Sequence, residues 1–180
     1  MPRPDIKDID LEAYFDESAA PGSFEEARAF PTVSPGVYRL QVTRSEGKAV
    51  AERPTAVLYI TVTDEMGQRK LASTRTDISW VPQRNAEGKL DQMYKRYEQL
   101  VRALYPERSD AERERMKLRE ILDDTVKFPL KGYVTEKFRV PQPDGGIRWL
   151  SAKTPDEAKE FRQAGYRVIN GVANFTAFSG

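Results

Sequence analysis

The sequence predicts a mainly β protein with helices inserted between its strands. Apolar and polar residues alternate in several short segments, which is the pattern of half-buried strands. Two segments between the third and fourth of these strands instead repeat apolar residues every three or four positions, as amphipathic helices do. The chain has 180 residues, of which 39% are hydrophobic. This length is typical of one domain, and the apolar content suffices for one core.

The first three predicted strands follow one another as an antiparallel meander. A Pro-Gly turn precedes the first, at 37–44, and alternation continues in the second, at 55–63. The residues 64–67 end in glycine and predict a hairpin turn. The third strand covers 68–80, and its alternation breaks near 73–76, which predicts a bulge.

The helical block comes next. An apolar stripe predicts a helix over 90–104, and a proline at 106 ends it. Ser109 and Glu112 have the spacing of a capping box, which predicts a second helix to about residue 122. We interpret both stripes as core-facing.

The remaining elements are a long strand, a short strand, a helix and a final β-prone segment. The long strand is predicted at 125–138, with its even positions, including Phe128, buried and its odd positions exposed. A short strand follows at 147–150. Thr154 then begins a helix as its N-cap, with proline in the first turn. The last segment, 166–178, is aromatic but imperfectly periodic.

This succession predicts a five-stranded OB-like antiparallel barrel, with helices between strands 3 and 4 and before the last strand. A generic α+β sandwich is the alternative. The barrel is assigned to residues 35–180 and an acidic arm to residues 1–34. Residues 1–30 hold eight acids and three bases, whereas the rest of the chain holds 20 acids and 26 bases. A solvated, poorly ordered tail is one interpretation of this arm. The alternatives are that the arm competes with nucleic acid for a basic groove, or that it docks on the body or on a neighbouring subunit.

Composition excludes several kinds of enzyme. The chain has no cysteine and no histidine, so it holds no disulfide, no thiolate or imidazole nucleophile pair and no His or Cys metal ligand. We predict a non-enzymatic protein without cofactor or metal, and rank a Mg²⁺ nuclease using Asp123 and Asp124 last. Since no apolar run is long enough to cross a membrane, we expect a cytoplasmic protein.

Basic and aromatic residues gather where an OB-like barrel would bind oligonucleotides. Lysines that neutralise phosphates and rings that stack on bases are the mixture such a surface needs. An ordinary charged solvent face is the alternative for the long strand, and the core rim is the alternative for the tryptophans. The candidate nucleic-acid-binding residues are Lys48, Arg53, Tyr59, Arg69, Arg75, Trp80, Lys127, Lys131, Tyr133, Lys137, Arg139, Arg148 and Trp149.

Two short motifs resemble a known family. Residues 35–42, PGVYRLQV, resemble the opening strand of bacteriophage-type single-stranded DNA-binding proteins. Residues 118–128, LREILDDTVKF, resemble the entry to their fourth strand, and the acidic leader with aromatics is also similar. The resemblance covers roughly residues 30–140. It implies an OB fold, sequence-tolerant binding of single strands, and a role in phage DNA replication or recombination in the host cell cytoplasm.

The favoured hypothesis is therefore a protein that binds single-stranded DNA with little sequence preference. Replication or recombination proteins are its expected further partners, with self-association left open, and DNA is not distinguished from RNA by the residues alone. The alternative from another class is a structural or assembly protein of a virus particle.

Overall fold

The computed structural model describes residues 31–179, so the predicted acidic arm lies outside the described residues except for 31–34. The strands are β1 (Gly36–Val50), β2 (Arg53–Thr63), β3 (Lys70–Ile78), β4 (Leu130–Pro141), β5 (Ile147–Leu150) and β6 (Val168–Thr176). The helices are α1 (Gln92–Leu104), α2 (Asp110–Glu114), α3 (Leu118–Lys127) and α4 (Pro155–Gln163). A mainly β fold with inserted helices is thereby confirmed, including the predicted places of the helices.

All six strands join one antiparallel sheet in the order β3-β2-β1-β4-β5, with β6 on the other edge of β4. One edge of β4 pairs first with β1, at 130–134, and then with β5, at 138–141. The opposite edge pairs with β6 along 131–138. Strand β4 is therefore the central strand. On one of its edges, the first half pairs with β1 and the last residues pair with β5.

The sheet has six strands and is open, so the prediction of a five-stranded barrel is wrong. Within the described residues no ladder joins the end strands β3 and β6, although the Thr74 hydroxyl donates to the Asn170 carbonyl at 2.6 Å. The side-chain amide of Asn170 is instead bound to the backbone of Val33, whose N–H donates at 2.9 Å and whose carbonyl accepts at 2.9 Å. The side-chain amide of Asn170, beside the gap between β3 and β6, thus finds its hydrogen-bond partners in the segment that leads into β1.

One hydrophobic core lies on the inner side of the sheet, the side that faces α1. Helix α1 contributes Leu100 to this core and closely contacts β6. Burying each such side chain stabilises the fold by about 1.5–3 kcal/mol. The fully buried strand residues include Leu40, Val42, Leu58, Val62, Ile78 and Val134.

The close approach of β1 and β6 to β4 requires glycine at position 132. A Cβ there would lie 2.4 Å from the Asn174 carbonyl and 2.6 Å from a methyl carbon of Leu40. Neither the backbone nor the core side chain can move away cheaply, so the sheet needs a residue without a side chain at this point.

The predicted strand at 125–138 starts too early. Helix α3 runs to Lys127, with the Thr125 hydroxyl donating to the Ile121 carbonyl at 2.6 Å, and β4 begins only at Leu130. Phe128 lies between the two elements and is 54% exposed, so its predicted place in the core is wrong. The helix predicted from 109 to 122 is correspondingly two helices, α2 and α3.

Replacing Phe128 by alanine is expected to lower the free energy of unfolding by less than about 1 kcal/mol. The ring is largely exposed, so its truncation removes little buried apolar contact. The matched change Phe138→Ala removes a ring that is 1% exposed and is expected to cost about 3–5 kcal/mol. Urea denaturation of both variants measures the difference. Equal losses would show that Phe128 packs in the core after all.

Candidate nucleic-acid interface

The outer side of the sheet, the side that faces away from the core, carries the excess positive charge of residues 31–180. Strand register places eight basic residues and two acids at outward positions, not counting the buried Arg53. Residues 31–180 hold 26 bases and 20 acids in all, so the charges elsewhere balance. The basic residues are Arg39, Arg44, Lys48, Lys70, Arg75, Lys131, Lys137 and Arg139, and the acids are Glu46 and Asp77.

Both outward acids already have partners. Glu46 lies 3.8 Å from the Arg44 guanidinium and accepts from the Tyr59 hydroxyl at 3.0 Å. Asp77 lies 3.3 Å from the ammonium of Lys48. Such exposed pairs contribute little to stability, but they leave the other six bases without a neutralising acid on this side of the sheet.

A tyrosine lies between two arginines across β1, β2 and β3. Tyr59 is directly opposite Arg44 on one side and Arg75 on the other. The Arg44 guanidinium lies 3.8 Å from the centre of the tyrosine ring, which is a cation–π contact. The arrangement offers one planar surface for a base and two cations for its flanking phosphates.

A second aromatic and basic cluster lies where β1 meets β4. Arg39 is directly opposite Lys131, and their cationic groups lie 4.7 and 5.5 Å from the ring centre of Phe178. Tyr133, the next outward residue on β4, is 39% exposed. The predicted outward positions of Lys131, Tyr133 and Lys137 agree with this register. Neither Arg39 nor Phe178 was predicted as a site residue.

The hairpin of β4 and β5 extends the outer side beyond the main sheet. Trp149 is 42% exposed and lies directly opposite Arg139 on the outer side. Arg148 is also exposed, but alternation along β5 directs it to the other side of the hairpin. A tryptophan beside an arginine is again suited to stacking on a base.

Four candidate residues lie apart from these clusters. Arg53 is buried at the start of β2, where Asp91 accepts from its guanidinium at 2.6 and 2.9 Å, so its predicted place on an open loop is wrong. Trp80 packs against the core and therefore belongs to the core rim. Lys127 ends α3, 3.9 Å from Asp124, and Arg69 is exposed in the turn before β3.

The acidic pair proposed last for metal binding has another partner. The Tyr105 hydroxyl donates to Asp124 at 2.6 Å, and burial, together with this hydrogen bond, raises the pKa of the Tyr105 hydroxyl far above its ordinary value. Among residues 31–179 no group of three acidic side chains is placed to hold a metal ion. The same residues contain no helix that is long and apolar enough to span a membrane.

No family model, curated protein or solved structure matches the chain. The chemistry of the outer side is therefore the ground for assigning a function.

Proposed function

We propose that the protein binds single-stranded DNA with little sequence preference through the outer side of its sheet. The observation that carries the proposal is the eight-to-two ratio of basic to acidic residues at outward positions. Because phosphates are identical along a strand, lysine and arginine contacts to them supply affinity without reading sequence.

Aromatic rings on the outer side favour a single strand over a duplex. Tyr59, Tyr133 and Trp149 all lie at outward positions among the basic residues. Stacking on them needs an unpaired base with a free face, which a duplex offers only at its ends. Each stacked base contributes about 1–3 kcal/mol and tolerates any sequence, because every base has an aromatic face.

We also propose that the sheet is an opened OB-type barrel. Its support is the pairing of the first strand with both the second and the fourth, together with the helical block between β3 and β4 and the Thr74–Asn170 hydrogen bond across the gap. OB folds bind oligonucleotides over strands 2 and 3, where Tyr59 and Arg75 lie. With the resemblance at residues 35–42 and 118–128, this favours a role in phage DNA replication or recombination.

The salt dependence of binding tests the electrostatic part of the proposal. For about three to five phosphate contacts, log K for an oligo(dT) strand should fall linearly with log salt, with a slope of roughly −2 to −3.5. Fluorescence anisotropy on oligo(dT) and on a duplex of equal length measures both the slope and the preference for single strands.

Matched lysine variants locate the contacts. Lys131→Gln, on the outer side, should reduce the steepness of the slope by about 0.7. Lys159→Gln, which removes the same charge from the exposed surface of α4, should leave the slope unchanged. A slope near zero, or equal affinity for duplex and single strand, contradicts the proposal.

The alternative, a structural or assembly protein of a virus particle, is favoured by one feature. Ile147, Trp149 and Leu150 on the short edge strand β5 are all exposed, and apolar edge strands invite pairing with another chain. Light scattering of the protein without nucleic acid, together with the oligo(dT) titration, distinguishes the two functions. An assembly protein should form large particles by itself and should not bind oligo(dT).

A further inference from the structure

A cavity of about 500 Å³ opens beside the edge of β4. It lies between the segment that precedes β1, the loop from β5 to α4, and helix α4 itself. This volume is within the range of about 300–1,000 Å³ that small-molecule sites occupy. The lining side chains used below are Tyr133, Glu136, Phe138, Ala158 and Arg162.

The edge of β4 that borders this cavity is unpaired over three residues. Strand β1 ends its pairing at Val134 and β5 begins its pairing at Phe138. Residues 135–137 therefore have no strand partner on this edge among the described residues. The Thr135 carbonyl accepts from the side-chain amide of Asn170 at 3.2 Å, so the groups offered to a ligand here are mainly the polar side chains of the cavity.

A carboxylate and a guanidinium are held side by side in the cavity. Glu136 is only 6% exposed, and its Oε2 accepts a hydrogen bond from Arg162. Its Oε1 accepts no hydrogen bond from any residue within 31–179, so one carboxylate oxygen is free for a ligand in the cavity. The Arg162 guanidinium lies 5.5 Å from the ring centre of Phe138, within cation–π distance.

We propose that this cavity is a guanine-selective subsite on an otherwise sequence-tolerant surface, an inference that rests on the proposed binding of single-stranded DNA. Of the four DNA bases, only guanine presents two adjacent donors, N1–H and N2–H, beside an acceptor, O6. The free Oε1 of Glu136 accepts from one donor, the remaining lone pair of Oε2 accepts from the other, and the Arg162 guanidinium donates to O6. Thymine places a carbonyl where guanine has its amino group, and this carbonyl is repelled by the carboxylate.

The position of the cavity favours a base over other ligands. Tyr133 belongs both to the cavity wall and to the outer side of the sheet, so a strand that stacks on this ring passes the opening. A basic partner is disfavoured by the excess of six positive charges that the outer side carries. An unpaired edge of three residues is also short for addition of a peptide strand, which needs several ladder hydrogen bonds.

Oligonucleotides with one variable central base test the inference. A dT strand with a single dG is expected to bind at least about 5-fold tighter than all-dT, as one well-formed base contact allows. Inosine at the same place lacks the N2 amino group and should lose about 2- to 10-fold relative to dG. Glu136→Gln should abolish the preference for dG and leave the affinity for all-dT within about twofold. Glu160→Gln, an exposed change on the same helix, is the control and should retain the preference.

A second variant covers the case in which Glu136→Gln does not fold. Ala158→Met fills the cavity while keeping both Glu136 and Arg162, and it should likewise abolish the preference for dG. If the unmodified protein binds all-dT but gains nothing from dG, or if the preference survives both variants, the inference is overturned while the proposed function stands. Failure to bind any single strand would overturn both.

Discussion

Replacing both Tyr59 and Tyr133 by alanine is expected to weaken binding of oligo(dT) by about 2–6 kcal/mol, because each ring that stacks on a base contributes about 1–3 kcal/mol. The rings lie on different strands, β2 and β4, which β1 separates, so the two effects should add. The free energy of unfolding should fall by only about 1–2 kcal/mol, since Tyr59 loses a cation–π contact with Arg44 and a hydrogen bond to Glu46. Anisotropy titration and urea denaturation measure the two quantities.

Phenylalanine at both positions is the matched control. It keeps the aromatic faces and removes only the hydroxyl groups, so the affinity for oligo(dT) should remain within a few-fold of the original. If the phenylalanine pair loses as much affinity as the alanine pair, the hydroxyl groups bind the strand and stacking does not. If neither pair changes affinity, the interface lies elsewhere on the protein.

The fold was predictable wherever the pattern along one segment determines the structure. Alternation indicates β2, β3 and the first part of β1, at 37–44, although β1 continues to Val50. The spacing of Thr154, Pro155 and Glu157 indicates the start of α4, which the hydrogen bond from the Glu157 N–H to the Thr154 hydroxyl confirms. The bulge predicted near 73–76 is wrong, since the register of β2 and β3 shifts instead between Val62 and Thr63. The start of β4 was missed because Val126 and Phe128 have the same parity as the true inward residues of the strand. Closure of the sheet depends on how far β3 lies from β6, and no local pattern records that distance.

The candidate site was predictable on β4 and incomplete elsewhere. Alternation alone places Lys131 and Tyr133 on the outer side. Arg39 has the same signal, since it alternates with the buried Leu40, but its importance depends on its register opposite Lys131. The burial of Arg53 was missed for a related reason, because its partner Asp91 is 38 residues away in sequence.

Replacing Asp91 by asparagine is expected to lower the free energy of unfolding by about 3 kcal/mol. The side chain of Arg53 is 4% exposed and depends on Asp91 for charge compensation, and breaking a buried pair in this way costs about 3–5 kcal/mol. The lower end applies because Arg53 also donates to the Val81 carbonyl and to Gln83. Asparagine has nearly the same volume, and the Asp91 side chain makes no capping hydrogen bond to α1 that could be lost, so the change isolates the charge. Glu98→Gln, which breaks an exposed pair with Arg102, should cost less than about 1 kcal/mol.

The pH dependence of this effect has a definite sign. The hydrogen bond from Arg53 lowers the pKa of the Asp91 carboxyl below its ordinary value. The stabilisation is therefore fully present above the unfolded pKa of about 3.9 and is lost as pH falls through the lower folded value. The difference in stability between the original protein and Asp91→Asn should be constant from about pH 5 upward and should narrow below about pH 4. Urea denaturation at a series of pH values measures it, and a difference that widens on acidification would contradict the ion pair.

Removing both charges tests whether the ion pair stabilises the protein, or whether the cost of Asp91→Asn comes only from leaving the Arg53 charge buried without a partner. The double change Arg53→Met with Asp91→Leu leaves no unpaired charge at the start of β2, and apolar replacements of buried pairs are often neutral or stabilising. Its loss should therefore be smaller than that of Asp91→Asn alone. The double change also removes the hydrogen bonds from Arg53 to the 81–91 segment. If it lowers the free energy of unfolding as much as the single change or more, these hydrogen bonds hold the segment against β2.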